Sequence, residues 1–118
     1  MEDRQTIRTF PRAASEVRLQ VRALPDEASE AVDGVIGNVS LGGMFIETDQ
    51  PQAPGKILRI EFDTAPEGET HRIVAAKAVV RWHRRIFEPR GMGVQFLDFE
   101  GVAEQNLQQW LNSILEKR

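Results

Sequence analysis

The sequence predicts an all-β domain in which six short strands form an antiparallel β-barrel and one helix follows at the C-terminus. Two observations predict this fold. Apolar and polar residues alternate over several short runs, which is the pattern of strands with one buried face. Near the C-terminus the apolar spacing changes to three and four residues, which is the period of an amphipathic helix. Six strands and one closing helix favour a small barrel whose open end or seam the helix covers.

The first three strands are predicted in the first half of the chain. Val17–Val21 alternates apolar and polar residues, and Ala31–Val39 is an apolar run interrupted by two glycines. Met44–Ile46 follows after a short polar segment. The short connection between the second and third runs predicts a β-hairpin with residues 38–43 as its link.

The last three strands are predicted after a Pro- and Gly-containing loop at residues 50–55. Ile57–Phe62 alternates again, and Gly91–Phe96 places Met92, Val94 and Phe96 on one face. The longest candidate strand, Ile73–Trp82, is predicted to bury alternate residues: Val74, Ala76, Ala78, Val80 and Trp82. We expect the six strands to follow one another around the barrel as a meander.

The C-terminal helix is predicted to be about four turns long, at 3.6 residues per turn. Its apolar positions recur at helical spacing, with Gln, Asn and Glu between them: Leu107, Trp110, Leu111, Ile114 and Leu115. We interpret Trp110, like Trp82, as a packing residue rather than as a surface for stacking a nucleotide base.

Length and composition indicate one domain of 118 residues, whose core is large enough to fold without cross-links. The chain has no Cys, which excludes disulfides and thiolate metal sites and is typical of a reducing compartment. The first residues include no apolar run, so we expect no signal peptide. No stretch approaches the roughly 18 apolar residues that a membrane-spanning helix needs. We therefore expect a cytoplasmic protein that does not bind membranes.

Charge is unevenly distributed along this chain of net charge −3. Residues 71–90 contain six basic residues and one acidic residue, whereas residues 23–70 contain ten acidic and two basic residues. The first 22 residues contain five arginines. If the two basic blocks converge in the fold, they form a local positive region. The acidic total argues against bulk nucleic acid as the partner.

Two guanidinium groups near the N-terminus form the first candidate motif. Arg8 and Arg12 stand four residues apart, and Pro11 keeps this segment from being an ordinary helix. Guanidinium groups bind phosphates and the O6/N7 edge of guanine through paired hydrogen bonds. We therefore predict an anion-binding segment within residues 1–12, a flexible N-terminal arm ahead of a barrel at residues 13–118.

The second candidate motif lies in the predicted hairpin link. Asn38 and Ser40 supply an amide and a hydroxyl that suit a base edge, and Gly43 follows where a side chain would obstruct the backbone. The same residue types are also common in turns that bind nothing, and for Gly43 this alternative stays open. Together the two motifs predict a site for a small anionic purine nucleotide.

The order and spacing of these motifs resemble those of the PilZ domain family, bacterial receptors for cyclic di-GMP. The family has R-x-x-x-R ahead of the first strand, which Arg8 and Arg12 match. It also has D/N-x-S-x-x-G in an early hairpin, which Asn38, Ser40 and Gly43 match. The resemblance extends over roughly residues 4–116 and implies a six-stranded barrel that binds the dinucleotide on its outer surface.

The resemblance also implies a role for each motif residue. Arg8 and Arg12 would bind phosphate or guanine, Asn38 and Ser40 would contact a guanine edge, and Gly43 would allow the hairpin to turn. Secondary candidates for ligand contact are three further residues: Arg4, Gly42 and Arg84. Of the arginines in the second basic block (Arg81, Arg84 and Arg85), we expect that one reaches the ligand or balances its charge.

Catalysis has little support in the sequence. The chain contains no nucleophile elbow, P-loop or paired acid and base, and His71 and His83 lack the neighbouring carboxylates of a metal site. We therefore expect neither an enzyme nor a cofactor or metal requirement. The expected partners are cyclic di-GMP and an unidentified protein, with the chain a monomer or weak dimer. Two alternatives remain: a PilZ-like adaptor that binds no nucleotide, and a small barrel that binds single-stranded nucleic acid.

Overall fold

The computed structural model describes residues 17–23, 32–66 and 68–116 of the chain. Within them lie six strands and one helix: β1 (Arg18–Ala23), β2 (Val32–Val39), β3 (Gly43–Glu47), β4 (Ile57–Asp63), β5 (Ile73–Arg84), β6 (Gly91–Phe99) and α1 (Ala103–Glu116). Every predicted element is present, and the predicted six-stranded antiparallel barrel with a C-terminal helix is confirmed.

The strands form a closed barrel in the order β1-β2-β3-β6-β5-β4. The predicted meander is therefore wrong at two pairings, because β3 pairs with β6 instead of β4, and β1 pairs with β4 instead of β6. The segment between β3 and β4 contains Pro51 and Pro54, which lack the backbone N–H that a tight hairpin ladder would use. This connection instead leads past the β1–β2 pair to β4, which lies on the other side of β1. Strand β3 therefore lies between β2 and β6.

The barrel core is formed by the apolar residues of the alternating runs. Leu58, Ile60 and Phe62 of β4 are buried as predicted, and so is the set Met92, Val94 and Phe96 of β6. On β5 the predicted set is buried through Val80, with Val74, Ala76 and Ala78 fully enclosed. Alternation therefore predicted correctly which face of β4 and of β6 points inward, and that of β5 as far as Val80.

Trp82 is the exception, because its side chain lies on the outside of the barrel and is 46% exposed. The pairing of β5 with β6 shifts register between Val80 and Trp82, which marks a β-bulge. One extra residue, Arg81, reverses the inside–outside alternation beyond that point. The prediction that Trp82 belongs to the core is wrong for this reason.

Helix α1 closes the barrel core with one apolar stripe. Ala103, Leu107 and Leu111 are buried in the same cluster as the strand residues, and the ring of Trp110 lies 5.8 Å from that of Phe62. The interpretation of Trp110 as a packing residue is confirmed. In the residues that the structure describes, no helix has both the length and the apolar character needed to cross a membrane.

An ion-pair cluster outside the barrel holds the connection that leads into α1. Arg59 of β4 binds both carboxylate oxygens of Glu100, at 2.7 and 2.9 Å, and also binds Glu61 at 2.9 Å. The hydrogen bonds from Arg59 lower the pKa of Glu100. A paired guanidinium and carboxylate of this kind ties β4 to the residue that precedes the helix.

A second polar cluster closes the loop between β4 and β5. The carboxylate of Asp63 accepts hydrogen bonds from the backbone N–H groups of Ala65 and Arg72 and contacts the ring of His71. The bond from Ala65 is the main cause that lowers the pKa of Asp63. Asp63 in its ionised form therefore stabilises the path of this loop.

The predicted N-terminal arm lies outside the described residues, and so do three candidate site residues: Arg4, Arg8 and Arg12. The proposed boundary between arm and barrel, at residues 12 and 13, also falls there. The structure therefore bears on the second motif and on the surface around it.

Candidate functional site

The second motif forms a tight turn between β2 and β3. The backbone N–H of Ser40 donates to the carbonyl oxygen of Gly43 at 2.8 Å, so Leu41 and Gly42 are the two central residues. The hydroxyl of Ser40 accepts a hydrogen bond from the N–H of Gly42 at 3.2 Å. The predicted hairpin is confirmed, but the turn is shorter than residues 38–43, and Asn38 belongs to β2.

Gly43 is required by close packing against the next strand rather than by the turn. A Cβ atom on Gly43 would lie 2.1 Å from the carbonyl oxygen of Val94 and 3.2 Å from the Cα of Gln95, both in β6. A Cβ on Gly42 would meet only the Ser40 hydroxyl, at 3.9 Å. The prediction that Gly43 serves the turn is therefore corrected: its lack of a side chain lets β3 approach β6.

Asn38 lies on the outer surface of the barrel, near the end of β2. It is exposed, and its strand partner is Phe45 of β3. A β-bulge between Ile36 and Asn38 makes Gly37 an extra residue, and both Ile36 and Val39 point into the core. The bulge directs the Asn38 amide outward, beside the turn that holds Ser40.

Two stacked aromatic rings lie on this outer surface, one of them on Phe45, the strand partner of Asn38. Phe45 and Trp82 stack with their ring centroids 5.2 Å apart and their planes at 14°. Phe45 is buried under this stack, whereas Trp82 keeps nearly half of its surface exposed. Their arrangement across the sheet follows from the strand pairing, because Gly93 of β6 pairs with both residues.

Gly93 provides the space in which the Trp82 ring lies. A Cβ atom at this position would come within 2.2 Å of the indole nitrogen of Trp82. The ring therefore lies flat over the backbone of β6 and reaches Phe45 on the neighbouring strand. The missing side chain of Gly93 and the β-bulge at Arg81 together create an exposed aromatic surface.

Arg84 lies beside both rings at the end of β5. Its Cζ atom is 5.7 Å from the ring centroid of Phe45 and 5.7 Å from that of Trp82, within the range of cation–π attraction. One of its terminal nitrogens also donates to the carbonyl oxygen of Pro89 at 3.4 Å. The guanidinium is thus held half-buried at the edge of the aromatic surface, with donors left for a ligand.

A second guanidinium borders the same face on the other side. Arg81 is exposed, and its Nε donates to the side-chain oxygen of Gln95 at 2.7 Å. Gln95 pairs with Gly43, so this arginine extends from β5 toward the β2–β3 turn. Arg81 and Arg84 of the second basic block therefore lie on the same outer surface as Trp82; whether the first basic block converges with them stays a prediction, because Arg4, Arg8 and Arg12 lie outside the described residues.

We call the outer surface formed by Asn38, Ser40, Phe45, Arg81, Trp82 and Arg84 the candidate face. It contains two of the main predicted residues, Asn38 and Ser40, and the secondary candidate Arg84. Gly43 and Gly42 shape the turn at its border, and the other secondary candidate, Arg4, lies outside the described residues. The candidate face offers amide and hydroxyl groups, an exposed ring and two guanidiniums within one four-strand surface.

The sequence did not indicate that Phe45 and Trp82 lie on the outer face of the barrel, where the exposed Trp82 covers the buried Phe45. Strict alternation placed Trp82 in the core and gave no reason to place Phe45 outside. Two features of the sequence are consistent with this placement. Three of the residues from 81 to 84 are polar, namely Arg81, His83 and Arg84, and the paired strand carries a glycine, Gly93. A glycine opposite an aromatic residue is compatible with a ring that lies across the backbone.

Comparison with solved structures confirms that this barrel fold is shared. The chain is similar to the structure of the Bacillus subtilis inhibitor of motility (MotI/DgrA), with a TM-score of 0.68 and 24% identity. The match covers 100% of this chain and 54% of that chain, so the present sequence spans about half of that structure's length. At this identity the likeness supports the fold alone. A search among curated proteins finds no match.

A protein-family comparison covers nearly the whole sequence. The model of the PilZ domain matches residues 4–113, a range that includes both R-x-x-x-R and the β2–β3 motif. PilZ domains are non-catalytic receptors for cyclic di-GMP. With the barrel, the helix and the motif turn in place, the chain belongs to the PilZ domain family.

Proposed function

We propose that this protein is a receptor that binds cyclic di-GMP on the candidate face and closes its N-terminal arm over the ligand. The observation that carries the proposal is the arrangement around Trp82, where an exposed ring has Arg84 beside it and stacks on Phe45, the strand partner of the motif residue Asn38. Cyclic di-GMP has two phosphates and two guanine bases, which need cations, hydrogen-bonding groups and flat apolar surfaces.

Each described group suits one part of this ligand. Asn38 and Ser40 offer an amide and a hydroxyl to a guanine edge, where an amide can both donate and accept. The exposed face of Trp82 offers a stacking surface for a base, an interaction worth about 1–3 kcal/mol. Arg84 and Arg81 supply donors for phosphate or for guanine O6 and N7. A ligand over Trp82 would have these groups on three sides.

Binding energy then requires the arm as well as the face. A micromolar complex needs about 8 kcal/mol, and one good paired contact contributes about 1–3 kcal/mol. Arg8 and Arg12, which match the family's first motif, would add two charge-assisted contacts from residues 1–12. Ordering of such a segment on binding changes the surface that the protein presents to a partner.

The consequence of binding would be a signal to another protein in the cytoplasm. In this proposal, the surface that changes when the arm becomes ordered is the means of signalling. Motility, biofilm formation or a related process is the expected output, and the structurally similar Bacillus subtilis protein is named an inhibitor of motility.

Isothermal titration calorimetry with purified protein and cyclic di-GMP tests this proposal. We expect saturable binding with a dissociation constant at or below tens of micromolar, about 6–8 kcal/mol. Arg12→Ala and Ser40→Ala should each weaken binding about tenfold or more, equivalent to about 1.4 kcal/mol. Arg72→Ala and Ser113→Ala are matched controls, because these residues lie in the β4–β5 loop and in α1, away from the candidate face.

The alternative is an adaptor that keeps the PilZ fold and contacts proteins without nucleotide. A folded sample that releases no heat and shows no thermal shift with excess cyclic di-GMP would refute the receptor and leave the adaptor. A bound ligand at 100 times its dissociation constant stabilises the fold by about 2.7 kcal/mol, which a thermal-shift assay detects. Equal affinities of Arg12→Ala and Arg72→Ala would refute the role given to the arm.

A further inference from the structure

The loop between β5 and β6 exposes two large apolar side chains next to each other. Ile86 is 82% exposed and Phe87 is 74% exposed, the highest values among the large apolar residues described. Both lie at the end of a long hairpin, beyond the arginine that flanks the aromatic rings. Adjacent exposed apolar residues on a protruding loop indicate a contact surface rather than an ordinary solvated turn.

A cleft of about 290 Å³ lies directly beside this loop. Its walls carry four carboxylates, those of Asp33, Glu47, Asp49 and Glu88, and an apolar part that includes Val35 and Pro89. Arg90 binds Asp49 and Glu88, each at 3.0 Å. Arg90 is the basic residue that faces Asp33, Asp49 and Glu88, so these four side chains together give the cleft a negative charge.

The loop and the cleft are opposite in both shape and charge. Arg85 is exposed at the base of the apolar pair, and no ion pair or hydrogen bond to it is observed within the described ranges 17–23, 32–66 and 68–116. The loop therefore presents a positive and apolar projection, and the cleft a negative and partly apolar depression. Both belong to one patch, since Glu88 and Pro89 are part of the loop and also line the cleft.

A projection and a depression side by side satisfy the geometric condition for a two-fold contact between identical surfaces. In such an interface the projection of each copy enters the depression of the other, so every contact occurs twice. We propose that a second copy of this chain occupies the cleft, with Phe87 and Ile86 inserted beside Val35 and with Arg85 near Asp33. Asp33 is exposed and lines the cleft.

The charge pattern favours this occupant over an anionic lipid surface. A membrane that accepted the apolar loop would also bring its negative headgroups against the carboxylates of the cleft. A second copy instead presents its Arg85 to those carboxylates. The patch is small beside the roughly 1,000 Å² or more that stable complexes bury, so the expected dimer is weak and forms at high protein concentration.

Analytical ultracentrifugation of the ligand-free protein tests the proposal without reference to nucleotide binding. Between about 10 µM and about 1 mM the weight-average mass should rise from that of a monomer toward that of a dimer. Phe87→Ser should raise the dissociation constant about tenfold or more. Val102→Ser is the matched control, since Val102 is 61% exposed at the start of the helix and outside the patch.

Exchanging the charges of Arg85 and Asp33 tests the predicted contact between Arg85 of one copy and Asp33 of the other. Arg85→Glu should prevent dimerisation because its projection meets a negative cleft, and Asp33→Arg should prevent it because its cleft opposes a positive projection. Mixed one to one, these two variants should form a heterodimer, since each projection then meets a cleft of opposite charge. The mixture is informative even though each variant alone is monomeric.

Three results would overturn the proposal. The first is a wild-type protein that stays monomeric up to about 1 mM. The second is a dimer that Phe87→Ser and Val102→Ser weaken equally, which would place the contact elsewhere. The third is co-sedimentation of monomeric protein with vesicles of phosphatidylglycerol and phosphatidylethanolamine, lost in Phe87→Ser, which would assign the loop to lipid instead.

Discussion

Replacing Gly43 by Ala tests whether this motif glycine is held by packing of β3 on β6, as the structure indicates, or by the conformation of the turn. We expect Gly43→Ala to destabilise the fold by about 3 kcal/mol, in the upper range of overpacking substitutions. We expect Gly42→Ala, at the adjacent position, to be close to neutral. Both substitutions add one methyl group, so the difference between their stabilities reports how closely each position is packed.

The magnitude follows from the distances. The added Cβ of Gly43→Ala would stand 2.1 Å from the oxygen of Val94, whereas real Cβ contacts below 3.0 Å essentially never occur. Because the obstacle is backbone, β3 and β6 must separate by about 1 Å, which strains the pairing at a cost of about 1–3 kcal/mol. The same movement weakens the bonds from Phe96 N to Gly42 O and from Ser40 N to Gly43 O, each worth about 1 kcal/mol.

Urea unfolding followed by tryptophan fluorescence or circular dichroism measures the effect. With a urea dependence of about 1–3 kcal/mol per molar, a loss of about 3 kcal/mol lowers the midpoint by about 1 M or more. The Gly42→Ala midpoint should stay near that of the wild type, because its Cβ meets only a hydroxyl at 3.9 Å. Equal midpoints for the two variants would refute the packing argument. A larger loss for Gly42→Ala would show that the turn conformation is the true constraint.

Three further predictions concern the candidate face and the two polar clusters. Gly93→Ala should displace the Trp82 ring, which changes the fluorescence emission of Trp82 and weakens cyclic di-GMP binding about as much as Trp82→Ala does. The free energy of unfolding should fall by only about 1 kcal/mol, because an exposed ring can move. Calorimetry and fluorescence check this, and unchanged affinity in both variants would exclude the ring from the site. Arg59→Met should lower the free energy of unfolding by about 1 kcal/mol, because the ion pair with Glu100 is lost, and this difference should shrink at high salt. A loss that does not depend on salt would instead assign the effect to packing of the Arg59 side chain. Because folding lowers the pKa of Asp63, its carboxylate contributes to the free energy of unfolding above its unfolded pKa, near pH 4, and this contribution is lost as pH falls through the folded pKa. Urea unfolding should therefore show a smaller loss of stability from pH 6 to pH 3 in Asp63→Asn than in the wild type. Parallel pH profiles of the two proteins would contradict this.

The parts of the fold that depend on local pattern could be predicted from the sequence. Alternation in β4 and β6 identified their buried faces, and the spacing of Leu107 and Leu111 identified the apolar stripe of the helix. Burial of apolar surface is the dominant stabilising term, so a pattern of period two or 3.6 carries most of the information about which face is inside.

The features that depend on pairing between distant strands could not be predicted in this way. The β-bulge that turns Trp82 outward is visible only when β5 is aligned with β6, and the space above Gly93 belongs to a different strand from the ring that fills it. The barrel order is a similar case, since nothing local to β3 indicates that it pairs with β6 rather than β4. For the same reason, the motif identified Asn38 and Ser40 but not the aromatic surface beside them.

The closed barrel also restricts how anything can bind to this protein. In the order β1-β2-β3-β6-β5-β4 each described strand has a paired neighbour on both sides over part of its length, so none presents a full-length unpaired edge to which an extended peptide could add as a further strand. Over the described barrel, recognition therefore relies mainly on side chains of the outer faces and on the backbone of turns. Because those outward side chains alternate with the core positions, ligand preference and partner choice can diverge among such barrels by surface substitution while the interior that specifies the fold stays the same.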